Sequence, residues 1–553
     1  MGVRQEIEEL VDAAARAAQA AGAIPAVVLP EAAIERPARP DHGDYASSLP
    51  LRLARAAKAS PIALAEALVA HLPASAAVGE ATVAPPGFVN LRLADAWLAE
   101  QVNAILAAGA DYPNSTVGSG RRVQIEFVSA NPTGPLHVGN GRWASIGDSL
   151  ARVLSAAGYA VEKEYLVNDQ FSQVDTFAAT LLARYKQLFG RDVAVPEDGY
   201  PGEYVITLAQ ALRDEVGERF LDDEVASPEL RRLGVERMVA LIRADLEAMG
   251  IDYDVWFKES SLYGEQGAYD EAMDRLRQQG AVVEKEGAVW FASSALGEER
   301  DNVLIRSTGV PTYFASDLAY HYDKLFRRGF DQVIDIWGAD HQGHVSRVLT
   351  GVTALGAAEG RLEIIIGQLV SLKRGGETVR LSKRAGEIIT LREVVDEVGR
   401  DACRFFFLQR SADAQMEFDL ELAKRQSNEN PVYYVQYAHA RIAGILAQAA
   451  ERGLDPEGGD VSLLRHPAEL ALVRKMLLLP ELVEQIAANH EPHHLPYYAL
   501  ELATAFHDFY ERCRVLDDED AALTRARLRL CAAAKIALAR TLDLMGMTAP
   551  ERM

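Results

Sequence analysis

The amino-acid sequence predicts an α/β fold with a central parallel sheet, preceded by an α+β unit and followed by an all-α helix bundle. Three observations carry this prediction. Residues 122–167 have the pattern strand, turn, helix, strand. Further strand candidates alternate with helices up to about residue 390. Everything beyond about residue 399 has helical periodicity.

The unit at residues 122–167 is the clearest βαβ candidate. From Arg122 to Val128 the side chains alternate with period two, as in a strand. Residues 131–135, Asn-Pro-Thr-Gly-Pro, cannot continue a strand or a helix. Apolar positions then recur at helical spacing from Gly139, and Gly158 ends the run. Nucleotides bind at the turn of such units, next to the positive end of the helix.

Composition narrows the class of protein. The 553 residues are 49% hydrophobic and 25% charged, typical of a globular protein, and the net charge is −23. This charge argues against nonspecific coating of nucleic acid, although a local basic face could still bind one specifically. No apolar run is long enough for a membrane span, and the first residues do not resemble a signal peptide. The three isolated cysteines indicate a cytoplasmic protein without a structural metal.

Residues 1–110 form the first predicted domain, and residues 111–121 a linker. Helices are predicted at the start, near Tyr45 and near Pro61, followed by two short strands within residues 83–93. Phe88 lies in the second of these strands. It is either a core residue of the hairpin or an exposed platform on which a base could stack.

The central domain is predicted over residues 120–398, with an insertion of helices and strands at about 171–300. The parallel sheet resumes with strands at 301–306, 332–337 and 363–371. A basic, glycine-containing loop covers residues 372–388, and Thr390 with Glu393 forms a capping box for the next helix. Residues 399–553 are predicted to form a bundle of four to six helices.

The turn before the helix permits two interpretations. Residues 139–144 match GxGxxA, the fingerprint of dinucleotide-dependent oxidoreductases, but ten residues separate it from its strand and Trp143 is bulky. In the second interpretation, His137 and Asn140 lie on one face of the first helical turn and bind triphosphate oxygens. A third possibility for His137 alone is a turn histidine satisfied by backbone groups.

Two motifs support the second interpretation. Pro-Leu-His137-Val-Gly-Asn140 resembles the HIGH motif of class I aminoacyl-tRNA synthetases, and Arg380-Leu-Ser-Lys383-Arg384 resembles their KMSKS loop. The segments SANPTGPLHVGNGR, YLVNDQ, TYFASDLAYH, IWGADHQGHV, NPVYYVQYAHARI and MGMTAPERM resemble the arginyl-tRNA synthetase family along almost the whole chain. Asn140 departs from the usual final His, and Arg380 from the usual first Lys.

The resemblance implies a Rossmann-type class I catalytic domain that activates arginine with ATP and Mg²⁺ and transfers it to tRNA. Activation would require bound tRNA, and the enzyme would act as a monomer away from membranes. The implied catalytic residues are His137, Asn140 and Lys383. ATP would be bound by Pro135, His137, Gly139, Asn140, Gly338, Asp340, Ser382, Lys383 and Arg384. Arginine would be bound by Glu126, Ser129, Asn131, Tyr313, Asp317 and His341, and tRNA by Phe88, Asn90, Tyr433, Gln436, Tyr437, His439 and Arg441.

Within that site, the resemblance assigns Glu126 and Asn131 to the substrate's α-amino end and Tyr313 and Asp317 to its guanidinium. Such a pocket rejects uncharged analogues because its own carboxylate would be left unpaired. Two rival hypotheses remain. A catalytically silent tRNA-binding paralogue would be expected to lack His137, Lys383 or the guanidinium carboxylate, and an oxidoreductase would have no use for the Lys383 loop.

Overall fold

The computed structural model describes residues 2–379 and 389–553. It confirms the predicted α/β fold, with an α+β part before the central sheet and a helical part after it. The predicted residues Ser382, Lys383 and Arg384 lie outside the described residues.

The first part is a four-stranded antiparallel sheet covered by helices, and its two middle strands are Tyr45–Ser47 and Phe88–Leu93. The helix predicted near Tyr45 is wrong at its start. Tyr45–Ser47 is fully buried and pairs with the strand that begins at Phe88, so sheet pairing prevails there and the helix begins at Leu49. The elements are α1 (Val3–Ala20), β1 (Ile34–Glu35), β2 (Tyr45–Ser47), α2 (Leu49–Ala57), α3 (Pro61–Ala70), β3 (Val78–Ala84), β4 (Phe88–Leu93) and α4 (Asp95–Ala108).

The central part contains a five-stranded parallel sheet. Its elements, in chain order, are β5 (Arg122–Phe127), α5 (Val138–Ala156), β6 (Ala160–Val167), α6 (Phe171–Gln187), α7 (Glu203–Val216), α8 (Pro228–Ala248), β7 (Val255–Lys258), α9 (Tyr269–Gln278), β8 (Val282–Lys285), β9 (Ala288–Phe291), β10 (Asn302–Ile305), α10 (Tyr313–Tyr322), β11 (Gln332–Gly338), α11 (Val345–Ala354), β12 (Leu362–Gly367), β13 (Val370–Arg374), β14 (Glu377–Val379), α12 (Leu391–Val398), α13 (Arg400–Leu408), β15 (Met416–Asp419) and α14 (Leu420–Lys424). The sheet order is β12-β11-β5-β6-β7, which is a doubly wound arrangement.

Two strand assignments differ from the prediction. β7 lies inside the range predicted as one insertion, yet it is an edge strand of the parallel sheet, beside β6. β10 was expected in the parallel sheet but pairs antiparallel with β9 in a separate sheet of three strands. Four-residue apolar strands carry too little pattern to reveal their partners, because either kind of sheet accepts them.

Helix α5 is the central helix of the molecule, and almost all of its residues are buried. Its small residues allow close packing: a Cβ on Gly147 would lie 2.3 Å from the ring of Phe127 in β5. On the next turns towards the N-terminus, Trp143 packs against Gly338 and Gly367, the last residues of β11 and β12. This packing fixes the start of α5 over the middle of the sheet.

The helical part contains α15 (Pro431–Glu451), α16 (Pro467–Met476), α17 (Leu478–Asn489), α18 (His494–Arg512) and α19 (Ala521–Leu544). It packs directly on the N-terminal part. Arg36 forms an ion pair of 2.7 Å with Glu481 of α17, and Arg474 of α16 forms one of 2.9 Å with Asp44. Asn103 of α4 accepts hydrogen bonds from Arg529 of α19.

Candidate active site

The order of strands along the chain reverses direction between the central strand, β5, and its neighbour β11. In an open parallel sheet this reversal leaves a crevice beyond the carboxyl ends of the two strands, and ligands bind there. Ser129 and Asn131 follow β5, and Gly338, Asp340 and His341 lie at and beyond the end of β11. The fold therefore brings these five predicted residues to the same edge of the sheet.

The chain leaves β5 through two residues with left-handed backbone angles, Val128 (φ 72°) and Ser129 (φ 37°). Such angles cost about 1–3 kcal/mol in residues other than glycine and persist where surrounding contacts impose them. The Ser129 hydroxyl donates to Glu126 Oε1 at 2.8 Å and accepts from the Leu166 amide at 3.1 Å. The strained turn thus fixes one oxygen of the Glu126 carboxylate.

Glu126 is buried, and its second oxygen, Oε2, lies 2.5 Å from Lys324 Nζ. Burial raises the pKa of Glu126, and the ammonium of Lys324 opposes that shift. Asn131 is exposed at the rim of the crevice, where it donates to Gln173 at 2.6 Å and accepts from Asn168 at 2.9 Å. Glu126, at the end of β5, is therefore buried, whereas Asn131, four residues beyond that strand, is exposed.

His137 is the N-cap of α5. Its Nδ1 accepts from the Gly139 amide at 3.1 Å, and Asn140 Oδ1 accepts from the His137 amide at 3.0 Å. Because this capping bond uses the carbonyl oxygen of Asn140, it leaves the two Nδ2 hydrogens of the side chain for another acceptor. Pro135 precedes the cap, and a Cβ on Gly139 would come within 3.0 Å of the His137 ring. The His137 ring and the Asn140 side chain therefore both lie at the positive end of α5, where anions are stabilised.

The chain on the far side of the basic loop returns to this helix end. The backbones of His137 and Thr390 form an antiparallel bridge, and the Leu391 amide donates to the Leu136 carbonyl at 2.7 Å. Thr390 caps α12 with Glu393, as the sequence predicts. The residues that follow the predicted Lys383 loop are thus anchored beside the predicted phosphate site.

Tyr313 and Asp317 lie on the first turns of α10, which Thr312 caps. Tyr313 is half exposed, and burial raises the pKa of Asp317 although His321 and Arg347 act in the opposite direction. Both side chains are electrostatic neighbours of Glu259, which follows β7 directly.

Glu259 was not predicted from the sequence. It is buried, and among the described residues its Oε2 has no hydrogen-bond partner. Burial raises its pKa to about 7, and Asp317 and Asp169 raise it too, while a hydrogen bond from Ser316 opposes them. The charged neighbours of Glu259 are carboxylates, and a buried carboxyl in such surroundings is suited to bind a cationic ligand. The signal for Glu259 would have been its place after a strand of the main sheet.

The predicted RNA face on α15 is only partly exposed. Tyr433 and Tyr437 are stacked with ring centroids 5.9 Å apart, and the Arg441 guanidinium lies over Tyr437 and over Tyr510 of α18. Gln436 binds Asp401 and the Thr548 carbonyl instead. The prediction for His439 is not supported, because its side chain is 1% exposed and its Nδ1 bonds to the Pro550 carbonyl.

In the first part, Phe88 is partly buried at the start of β4. Asn90 is buried, and its backbone pairs with Thr82 and Ala46 on both sides. Of the two predicted base-binding residues, Phe88 therefore offers the more accessible side chain. The turn before Phe88 packs closely against the start of α3, because a Cβ on Gly87 would lie 2.4 Å from Pro61.

Residues 2–379 and 389–553 contain neither a candidate membrane span nor a candidate metal-ion site. No helix there combines the length and hydrophobicity needed to cross a membrane. No group of three or more His, Cys, Asp or Glu side chains in the same ranges is arranged to hold a metal ion.

Comparison with known proteins covers the whole chain. Three family models match: "Arginyl tRNA synthetase N terminal domain" at residues 5–93, "tRNA synthetases class I (R), catalytic domain" at 101–419, and "DALR anticodon binding domain" at 435–553. The arginine–tRNA ligase of Dehalococcoides mccartyi strain CBDB1 is 53% identical, and that of Heliobacterium modesticaldum 48%; each alignment covers 100% of this chain and 99% of the relative.

A solved structure supports the fold. The arginyl-tRNA synthetase of Thermus thermophilus superposes with a TM-score of 0.76 over 100% of both chains, at 24% sequence identity. The family models together match most of the sequence, and the relatives match it from end to end. The chain belongs to the arginyl-tRNA synthetase family, in class I of the tRNA synthetases.

Proposed function

We propose that the protein ligates L-arginine to its tRNA in two steps at the crevice between β5 and β11. The observation that supports arginine most directly is the acidic pocket of Glu259, Asp317 and Tyr313, in which one buried carboxylate oxygen has no partner among the described residues. A planar guanidinium supplies a permanent charge and several donors, which suit buried carboxyl oxygens of this kind.

In the first step, the arginine carboxylate attacks the α-phosphorus of ATP in line, the bond to the pyrophosphate oxygen breaks, and arginyl-adenylate forms. Glu126 and Asn131 would hold the α-amino end. The carboxylate oxygens of Glu126 each retain a lone pair beyond their bonds to Ser129 and Lys324, so a further donor can be accepted. When the substrate is held in this way, the reaction is accelerated mainly because the reacting atoms are correctly oriented.

His137, the Asn140 amide and the amides at the start of α5 would stabilise the negative charge that builds up on the phosphates. Pro135 and Gly139 would shape this site, and Gly338, Asp340 and His341 would line it from the β11 side. Ser382, Lys383 and Arg384, outside the described residues, would complete the phosphate contacts. Mg²⁺ would enter bound to ATP as part of the substrate and neutralise phosphate charge.

In the second step, the 2′-hydroxyl of the terminal adenosine of tRNA attacks the carbonyl carbon of the adenylate, and AMP leaves. Tyr433, Tyr437 and Arg441 would contact the anticodon loop, because aromatic rings and arginine suit unpaired bases. Phe88, with Asn90 behind it, would contact an unpaired base elsewhere on the tRNA. We also propose that the enzyme works as a cytoplasmic monomer and that bound tRNA is required for activation.

The test is ATP–pyrophosphate exchange with each of the twenty amino acids, with and without total tRNA. We expect exchange with arginine only, and only when tRNA is present. Absence of exchange under every condition would contradict the ligase and favour a silent tRNA-binding paralogue. Exchange with arginine in the absence of tRNA would contradict only the requirement for tRNA. An oxidoreductase would instead bind NAD, and Trp143, wedged between Gly338 and Gly367, opposes that alternative.

A further inference from the structure

The two ends of the proposed arginine site are carried by different elements. Glu126, for the α-amino end, lies on β5, whereas Asp317, for the guanidinium, lies on α10. A chain of buried contacts joins them behind the pocket. In order, Glu126 Oε2 is 2.5 Å from Lys324 Nζ, Lys324 is 3.0 Å from Asp335 Oδ1, Asp335 Oδ2 is 2.7 Å from His321 Nε2, and His321 Nδ1 is 2.7 Å from the Asp317 carbonyl.

The three middle members of this chain are almost completely buried. Lys324 and Asp335 have no exposed side-chain surface, and His321 has 2%. The Lys324 ammonium also lies 4.0 Å from the centre of the Tyr320 ring, which limits its movement. The contacts therefore hold β5, β11 and α10 together without intervening solvent-exposed side chains.

Lys324 lies between two carboxylates, Glu126 and Asp335. The His321 ring contacts the Asp335 carboxylate through one nitrogen and the Asp317 carbonyl through the other, so both of its nitrogens are engaged. Buried ion networks of this kind add little to stability compared with apolar packing, but the loss of one member is costly. A role in geometry explains the network better than a role in stability.

We propose that Lys324, Asp335 and His321 are positioning residues that hold Glu126 and Asp317 at the separation of the two ends of arginine, and thereby select the length of the substrate side chain. This inference rests on the arginine site proposed above. Homoarginine has both recognised ends but one additional methylene. Because the network ties the two partners to one another, neither can shift to accept the longer molecule without breaking a buried contact.

The test compares arginine with homoarginine in tRNA-supported ATP–pyrophosphate exchange. Asp335→Asn removes the carboxylate that contacts both Lys324 and His321. His321→Asn keeps a donor near the Nδ1 position and removes the contact with Asp335, and His321→Gln does the reverse. We expect each variant to lower the ratio of the two kcat/KM values at least about tenfold, since misplacement by about 1 Å has effects of this size or larger. The KM for ATP should stay within about twofold of the wild-type value.

Asp148→Asn is the matched control. Asp148 forms an equally buried ion pair of 2.5 Å with Arg404, away from the proposed site, and its loss should lower Tm without changing the ratio. If the three network variants lose as much Tm as the control but keep the wild-type ratio, the network is only structural and the proposal is wrong. If Asp335→Asn does not fold, the two His321 variants decide the question. Failure of the proposed function has a different signature, namely no exchange with arginine in the wild type.

Discussion

His137 and Thr390 are paired through their backbones in an antiparallel bridge. One residue caps the helix of the HIGH-like motif, and the other caps the helix that follows the KMSKS-like motif. The bridge places the return point of the basic loop at the proposed phosphate site. Residues that would act on the same phosphates, although far apart in sequence, thus share one anchor.

The cap on α5 allows catalysis to be separated from helix stability. Asn140→Asp keeps the oxygen that accepts from the His137 amide, so the helix should remain capped. The new negative charge would repel ATP phosphates, and the two amide donors would be lost. We expect Tm to change little and the exchange rate to fall at least about 100-fold, the effect of removing one well-placed donor. Asp520→Asn at the cap of α19 is the control, and its rate should be normal.

A different outcome would assign Asn140 to structure alone. If Asn140→Asp keeps wild-type exchange, the side chain serves only as a cap. A large fall in Tm would show that the cap was damaged, and Asn140→Ser, which also supplies a capping oxygen, would then separate the two effects.

Glu259 should make arginine binding depend on pH near neutrality. Its pKa is raised to about 7, so below that pH the carboxyl is increasingly protonated and attracts the guanidinium less. We expect the KM for arginine to rise as the pH falls from 8 to 6, while the KM for ATP is affected less. Glu259→Gln should raise the KM for arginine about 10- to 100-fold and remove this dependence, because a hydrogen bond to a charged group is lost.

The charged form of Glu259 favours arginine binding, but it destabilises the folded free enzyme. Between its ordinary pKa of 4.5 and about 7, the folded free enzyme keeps a proton that the unfolded chain releases. Its contribution therefore makes the folded state less stable as the pH rises through that window. We expect Glu259→Gln to raise the Tm of the free enzyme at pH 8, whereas the exposed Glu284→Gln should not. A lower Tm for Glu259→Gln would mean that the charge is already paired.

Trp143 offers a test of packing between α5 and the sheet. In Gly367→Ala the new Cβ would lie 2.2 Å from Trp143 Nε1, so the indole or the strand must move. We expect a loss of about 1–3 kcal/mol in the free energy of unfolding, together with weaker ATP binding. In Gly444→Ala, within α15, the new methyl meets nothing within 4 Å, and we expect a small gain in stability. Denaturant titration of both variants measures the difference, and equal stabilities would contradict the packing argument.

The exposed part of α15 should affect tRNA but not amino-acid activation. Tyr437→Ala removes a ring that stacks with Tyr433 and lies under Arg441. We expect the KM for tRNA to rise about 5- to 100-fold, given the usual strength of base–aromatic stacking, with little change in Tm. His439→Ala should instead lower Tm, since its bond to Pro550 is lost. A wild-type KM for tRNA in Tyr437→Ala would place the anticodon elsewhere.

Lys383 lies outside the described residues, and the expectation for it comes from the sequence. Lys383→Ala should lower the rate of adenylate formation about 100-fold or more, because an ammonium on the departing phosphates acts mainly in the transition state. Arginine binding, measured by equilibrium titration in the presence of tRNA, should be near normal. A collapse of arginine binding would place Lys383 in the amino-acid pocket instead.

Sequence patterns predicted the parts of the fold that are long and periodic. The βαβ unit at residues 122–167 and the helices of the last part were recovered, because each has several repeats of its period. β7 and β10 were not, since four residues cannot show whether a strand joins a parallel or an antiparallel sheet. Glu259 was not assigned to the site from the sequence, because it reaches the site only through the position of β7 in the parallel sheet.

The helix α15 was predicted, but the inclusion of His439 in its RNA face is not supported, for a reason that is visible in the sequence. At 100° per residue, Tyr433, Tyr437 and Arg441 share one face, whereas His439 falls on the opposite side. The motif resemblance named these four residues together with Gln436 and did not indicate which side of the helix each one occupies. The network behind the arginine pocket could not have been predicted, because Glu126, Lys324 and Asp335 meet only through tertiary packing.

The ion pairs Arg36–Glu481 and Arg474–Asp44 have a consequence for which tRNA molecules the protein can bind. They join the first part of the chain to the helical part directly, so the surfaces around Phe88 and Tyr437 are held at a fixed separation. A tRNA that contacts both must have the right distance between its anticodon loop and the base that Phe88 would contact. We expect this fixed separation to restrict the shape of tRNA that can bind. A tRNA with a lengthened anticodon stem would then be rejected even if its anticodon is correct.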